Sequence, residues 1–142
     1  MITDDLAREL RETGLAWQPA PGDRFRIEAE ALSEEIFILS HIVIEARTYP
    51  TGTVLAFNGT TEWALDSVSK DKALWLPRED QLRAYLGGTF AGLHPVEGGY
   101  CVRTTRPAIG GESDGPAAEF TATDPEDAYA KALLDLLRRA MD

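Results

Sequence analysis

Toward the C-terminal end of the chain apolar side chains return every three or four residues, at Ala128, Tyr129, Ala132, Leu133, Leu136, Leu137 and Ala140. That spacing predicts an amphipathic helix with one broad apolar stripe, which must bury against a sheet. Thr123-Asp124-Pro125-Glu126 reads as its start, in the form of a Thr-x-x-Glu capping box, and Arg138 and Arg139 suit the negative end of its dipole. A shorter helix is predicted near Met1, where Ile2, Leu6 and Leu10 recur at helical spacing behind Thr3 as N-cap, with Asp4 and Asp5 in the first turn. Gly14 fits the C′ position of that helix, with Leu15 as the hydrophobic partner of a Schellman motif.

Between these helices the pattern changes to that of strands. Pro19, Pro21 and Gly22 break the chain before a short strand at Arg24 to Ile27. Glu35 to Ser40 and Ile42 to Tyr49 are rich in Ile, Val and Phe, and in the second run Ile42, Ile44 and Ala46 share one face. Pro50-Thr51-Gly52 turns the chain into Thr53 to Phe57. Asn58-Gly59, the pair best suited to a type I′ hairpin, then leads to a third meander strand at Thr60 to Asp66, a segment whose composition also suits a helix. After a polar connection at Ser69 to Lys72, Trp75-Leu76-Pro77 leads into a helix. Pro77 takes its first position, Glu79 and Asp80 its first turn, Leu82, Tyr85 and Leu86 face inward, and Gly87-Gly88 end it. Strands at Thr89 to His94, Tyr100 to Thr105 and Ala117 to Ala122 follow, with a turn at Glu97-Gly98-Gly99 and a Gly/Pro-rich loop at Pro107 to Pro116.

Strands and helices that segregate in this way predict an α+β fold: an N-terminal helix and antiparallel β-meander, then an α-β-β-β-α unit with the C-terminal helix packed on its sheet. The 142 residues suit one domain, 1–142, which could divide near Ser69 to Lys72 into a β-rich lobe, 1–72, and an α-β-β-β-α lobe, 73–142.

Charge narrows the classes of partner. The net charge of −10 and the scattering of the 14 basic residues disfavour nucleic acid and anionic membrane, both of which require clustered Lys and Arg. The α-β-β-β-α order is also that of double-stranded-RNA-binding domains, but these carry basic residues where this chain has Asp124-Pro125-Glu126-Asp127. A single cysteine, Cys101, excludes an intramolecular disulfide, and an acidic start with no apolar region after it is unlike a signal peptide. The expected location is the cytosol.

Chemistry-bearing motifs are sparse. Two histidines and one cysteine give no zinc set, the acidic pairs lack a calcium-loop pattern, and neither Gly98-Gly99 nor Gly110-Gly111 opens a helix as a phosphate loop does. No metal and no cofactor is expected. No Gly-x-Ser-x-Gly elbow occurs. One reactive pair is conceivable, since His94 could lie across a hairpin from Cys101 and lower its thiol pKa, although a cysteine in an alternating strand is more often a small core residue. Trp17, Trp63 and Trp75 could line a cleft or form an interface hot spot; core packing is the alternative.

Several segments carry a resemblance: Pro21-Gly22-Asp23-Arg24-Phe25, Phe57 through Asp66, Leu74 through Leu82, and Asp124-Pro125-Glu126-Asp127-Ala128-Tyr129. They resemble a family of small, mainly actinobacterial proteins, some bearing a pilus-assembly label of the CpaE type, over about Trp17 to Leu137. That label implies an ATPase-like protein, whereas this chain has no nucleotide-binding loop, and the resemblance carries over no catalytic residue.

The expectation is therefore a non-catalytic cytosolic protein that binds another protein as an interaction or adaptor module. Its contact residues are predicted around Trp63, Trp75, Pro77, Arg78, Glu79 and Asp80 and in the Pro107 to Pro116 loop. A sharper version is an acidic immunity- or antitoxin-type protein. The rival class is a ligand carrier or enzyme using a cleft between the lobes, with Cys101 and His94 in it.

Overall fold

A computed structural model describes residues 1–28, 34–39, 43–49, 52–57, 67–69, 72–106 and 115–140. In chain order they form α1 (Asp4–Glu12), β1 (Arg24–Ile27), β2 (Phe37–Ile38), β3 (Val43–Tyr49), β4 (Gly52–Phe57), β5 (Ser67–Ser69) and β6 (Ala73–Leu76). Then follow α2 (Glu79–Leu86), a 3-10 turn (Gly87–Thr89), β7 (Phe90–Val96), β8 (Gly99–Arg106), β9 (Gly115–Ala122) and α3 (Pro125–Ala140). The fold is α+β, with antiparallel sheets and α3 packed on the last of them.

The chain gathers into two compact units, one of Met1–Ala16 with Pro77–Asp142 and the other of Trp17–Leu76. Sequence composition places a seam at 69–72; the units divide instead at 16/17 and 76/77, so that α1 belongs with the C-terminal elements.

In the first unit, β7, β8 and β9 form an antiparallel meander, and α3 packs on β8 and β9 while also meeting α1 and α2. Neighbours on several sides explain why the buried belt of α3 is broader than its apolar stripe, taking in Asp127, Ala130 and Leu134 beside Ala128, Tyr129, Ala132 and Leu133. Farther along, Leu136 and Leu137 are only partly buried and Ala140 is exposed. Full burial of a leucine such as Leu82, Leu86 or Leu133 contributes roughly 1.5–3 kcal/mol. Tyr129 lies at the centre, its ring 5.6 Å from that of Phe90, over which the Arg83 guanidinium sits at 5.5 Å. Burial raises the Tyr129 phenol above its ordinary pKa, with the facing charges of Arg83 and Glu79 as smaller influences, so the ring stays neutral at physiological pH.

The helix starts differ in detail from the expected caps. α3 is capped by Asp124, whose Oδ1 accepts the Glu126 N–H at 2.8 Å, with Pro125 at the first helical position. Thr123 and Glu126 do not form the predicted capping box, because the Glu126 carboxylate is used elsewhere. It accepts the Ile2 N–H at 2.9 Å, while Asp127 Oδ1 accepts the Thr3 N–H at 2.7 Å. The acidic run that sequence logic sets against RNA thus anchors the start of α1, and Thr3 makes no side-chain cap. At the far end of α1 the predicted Schellman motif is complete: Leu15 N–H reaches the Leu10 carbonyl at 3.0 Å, Gly14 N–H reaches that of Arg11 at 3.1 Å, and Gly14 takes φ +110°.

α2 begins two residues later than predicted, with Arg78 rather than a residue before Pro77 as its N-cap. The Arg78 N–H donates to Gln81 Oε1 at 2.9 Å, which is half of a capping box; a guanidinium has no acceptor for the other half. Tyr85, expected to face inward, is 46% exposed.

In the second unit, β2, β1 and β6 form one antiparallel sheet and β3, β4 and β5 another. Tyr49 pairs with Gly52, and β5 pairs with β4 through Val54↔Ser69, Leu55↔Val68 and Ala56↔Ser67. The predicted hairpin at Asn58-Gly59 and strand at Thr60 to Asp66 lie outside the described residues. Where composition predicts a connection and a helix lead-in, the chain forms β6, with Ala73, Leu74, Trp75 and Leu76 all buried. A strand covered on both faces shows no alternation, so period-2 patterning cannot reveal it. Among the described residues no helix is long and apolar enough to cross a membrane.

Candidate functional site

The second unit is organised around a buried carboxylate. Asp23, 2% exposed, accepts at Oδ2 from Trp17 Nε1 at 2.9 Å and from the Ala20 N–H at 3.0 Å. The Asp23 N–H in turn donates to the Ala20 carbonyl, closing the turn predicted around Pro19 to Gly22. Fixed in this way, the Trp17 ring lies 5.4 Å from Phe25, and Phe25 stacks on Phe37 at 5.6 Å. This aromatic column contributes on the order of 0.5–1.5 kcal/mol per ring pair beyond area burial.

Phe37 on the column decides where its neighbours go. Side chains alternate along a strand, so Ile36 and Ile38 take the opposite face from Phe37. They are 43% and 65% exposed, and Ile38 is the most exposed large apolar side chain among the described residues. Both ends of this segment are tied down. Arg26 Nη1 donates to the Glu34 carbonyl at 2.8 Å, Leu39 N–H donates to the Asp23 carbonyl at 2.9 Å, and Gly22 N–H donates to the Leu39 carbonyl at 2.7 Å. Glu34 and Glu35, also exposed, precede the two isoleucines. The product is an edge, hydrogen-bonded at both ends, that presents two carboxylates and two apolar side chains.

The predicted contact residues at the end of β6 and the start of α2 grade from buried to exposed. Trp75 and Pro77 are buried, Arg78 and Glu79 half-buried, and Asp80 exposed. Trp63 and residues 107–114 of the predicted contact loop fall outside the described residues. Arg78 Nε pairs with Asp80 Oδ1 at 3.0 Å, and this hydrogen bond holds the Asp80 carboxyl below its ordinary pKa. A carboxylate with a depressed folded-state pKa contributes stability above its unfolded value of about 3.9, and the contribution is lost as pH falls through the folded value. Asp80 is exposed, so the effect on stability is small. A side-chain NMR titration should give a midpoint for Asp80 below the ordinary Asp value, and Arg78→Ala should raise it; an unmoved midpoint would contradict the pairing.

His94 and Cys101 are direct cross-strand partners in the β7–β8 ladder, the juxtaposition the sequence suggests. No hydrogen bond joins them. The Cys101 thiol is buried, 1% exposed, and lies 3.8 Å from the Val102 carbonyl oxygen, whereas His94 is exposed. Burial predicts that iodoacetamide labels Cys101 at least a hundredfold more slowly in the native protein than in urea; equal rates, read by mass spectrometry, would show an accessible thiol. Among the described residues no group of three or more His, Cys, Asp or Glu could hold a metal ion.

Ile36 and Ile38 escape sequence reasoning because Ile-Phe-Ile-Leu reads as core. The available signal is the length of the run: consecutive apolar residues on a strand cannot all face one side. Val96 and Tyr100, 37% and 38% exposed near the β7–β8 turn, are a smaller apolar surface of the first unit. No protein-family model, no curated protein and no solved structure matches the chain.

Proposed function

We propose that this chain is a non-catalytic protein-binding module whose partner presents a basic surface with apolar anchor points. The observation that carries this reading is the Glu34-Glu35-Ile36-Phe37-Ile38 edge, where two large apolar side chains stand in water on a backbone hydrogen-bonded at both ends. Covering an exposed isoleucine recovers part of the roughly 1.5–3 kcal/mol that full burial provides, and little ordering cost opposes it when the strand is already fixed. The net charge of −10 speeds encounter with a positively charged protein and repels nucleic acid.

The test is affinity capture from lysate of the native host, with the wild-type protein and an Ile36→Asp/Ile38→Asp double variant as parallel baits. Both sites are exposed, so the variant should keep the wild-type melting temperature to within a few degrees. The expected result is a partner retained by the wild type, released by raised salt, and depleted at least tenfold on the variant. Equal capture by both baits, or no partner above background on either, would overturn the reading.

A further inference from the structure

We infer that β2 takes up its partner by strand addition, pairing with an extended segment of alternating apolar and basic side chains. The inference rests on the protein-binding reading and adds the partner's chemistry and mode of docking.

Backbone direction supplies the first argument. In an antiparallel strand successive residues send their N–H and C=O groups to opposite sides. Leu39 bonds toward β1 through both its N–H and its carbonyl, and Phe37, two residues earlier, is the register partner of Phe25 on the same side. Ile38 therefore directs its backbone groups away from β1, as does the Ile36 carbonyl across the peptide from the Phe37 N–H, and β2 is an outer strand of its sheet among the described residues. An edge with no pairing strand among the described residues is a template for another strand, and natural edges are usually blunted by Lys, Pro or a bulge. Here the edge carries isoleucine on its open face and no such block between Glu35 and Ile38.

Charge selects the occupant. On neighbouring β1, Arg26 is engaged by the Glu34 carbonyl and both Arg24 and Arg26 are half-buried, whereas Glu34 and Glu35 are exposed. A second copy pairing edge to edge would bring a further net charge of −10 and a second Glu34-Glu35 pair to the same place. A basic segment sets Lys or Arg against Glu35 while its alternate apolar side chains cover Ile36 and Ile38. Main-chain hydrogen bonds then provide affinity, and the alternating side chains provide selectivity.

The probe is a fluorescent decapeptide of alternating Lys and Val, measured by anisotropy against the full chain. Three control peptides accompany it: alternating Glu and Val, the Lys-Val peptide N-methylated on every Val, and the same peptide N-methylated on every Lys. All Val amides of a strand point to one edge and all Lys amides to the other, so only one methylated peptide is blocked on its pairing edge. The Lys-Val peptide should bind at least tenfold more tightly than the Glu-Val peptide. One of the two methylated peptides should lose at least tenfold, and amide hydrogen exchange at Ile36 and Ile38 should slow at least tenfold on binding. Equal binding by both methylated peptides, slowed exchange only elsewhere, or no binding of the Lys-Val peptide up to about 1 mM would overturn strand addition. The protein-binding reading would then still stand or fall separately, on the capture experiment with the Ile36→Asp/Ile38→Asp variant.

Discussion

Gly99→Ala is expected to destabilise the protein by about 3 kcal/mol, the upper end of the usual cost of overpacking. A Cβ placed on Gly99 would lie 2.1 Å from the Ala122 carbonyl oxygen and 2.9 Å from both the Ala122 carbonyl carbon and the Thr123 Cα. All three are backbone atoms, so no side-chain rotation can relieve the overlap. Relief requires β8 and β9 to separate where β9 runs into the Asp124 cap of α3. Gly88→Ala is the matched control: a Cβ there meets nothing within 4 Å, and its φ lies outside the left-handed region. That variant should fall within about 0.5 kcal/mol of wild type. Urea denaturation with intrinsic fluorescence distinguishes the two, and similar midpoints for both would contradict the close approach of β8 and β9 at Gly99.

Asp23→Ala should cost a similar amount, about 3 kcal/mol, for a different reason. Removing the carboxylate leaves the Trp17 indole N–H and the Ala20 N–H without their acceptor, and an unsatisfied buried donor costs about 1–3 kcal/mol. Asp23→Asn retains a carbonyl oxygen in nearly the same place and should lose less than half as much. The effect should extend beyond stability, since Trp17 supports Phe25, Phe25 supports Phe37, and Phe37 fixes the direction of Ile36 and Ile38. Asp23→Ala should therefore weaken partner capture under conditions where the protein remains folded. A variant that melts within about 0.5 kcal/mol of wild type would remove Asp23 from its organising role.

Local patterns in the sequence carry much of the fold. The helical spacing of α1 and α3, the Gly14-Leu15 stop, and the β7–β8–β9 order are all readable because each rests on contacts or geometry close in sequence. Longer-range features are not. The Glu126 carboxylate is the acceptor for Ile2 rather than half of a cap, which depends on α1 meeting α3 from the other end of the chain. β6 hides because burial on both faces erases alternation, and Trp75, an apparent hot spot, is covered for the same reason.

Exposure of a single side chain is the hardest property to read. Ile38 and Leu39 are chemically similar neighbours, yet one is 65% and the other 3% exposed. Only the pairing of Phe37 with Phe25 fixes which of them faces out. Trp75, which side-chain type suggests for a surface anchor, is buried, and Ile38, which it suggests for the core, is exposed, so the proposed contact edge is β2 rather than the start of α2. Charge speaks only at the level of class, since a total of −10 favours a basic partner without locating it.

Amide hydrogen exchange at Ile36 and Ile38 tests the central claim most directly, measured on the free protein and again after saturation with the captured partner. The expected result is fast exchange at both amides in the free protein and at least tenfold slower exchange in the complex. Exchange that is already slow in the free protein, or unchanged in the complex, would contradict the assignment of β2 as the binding edge.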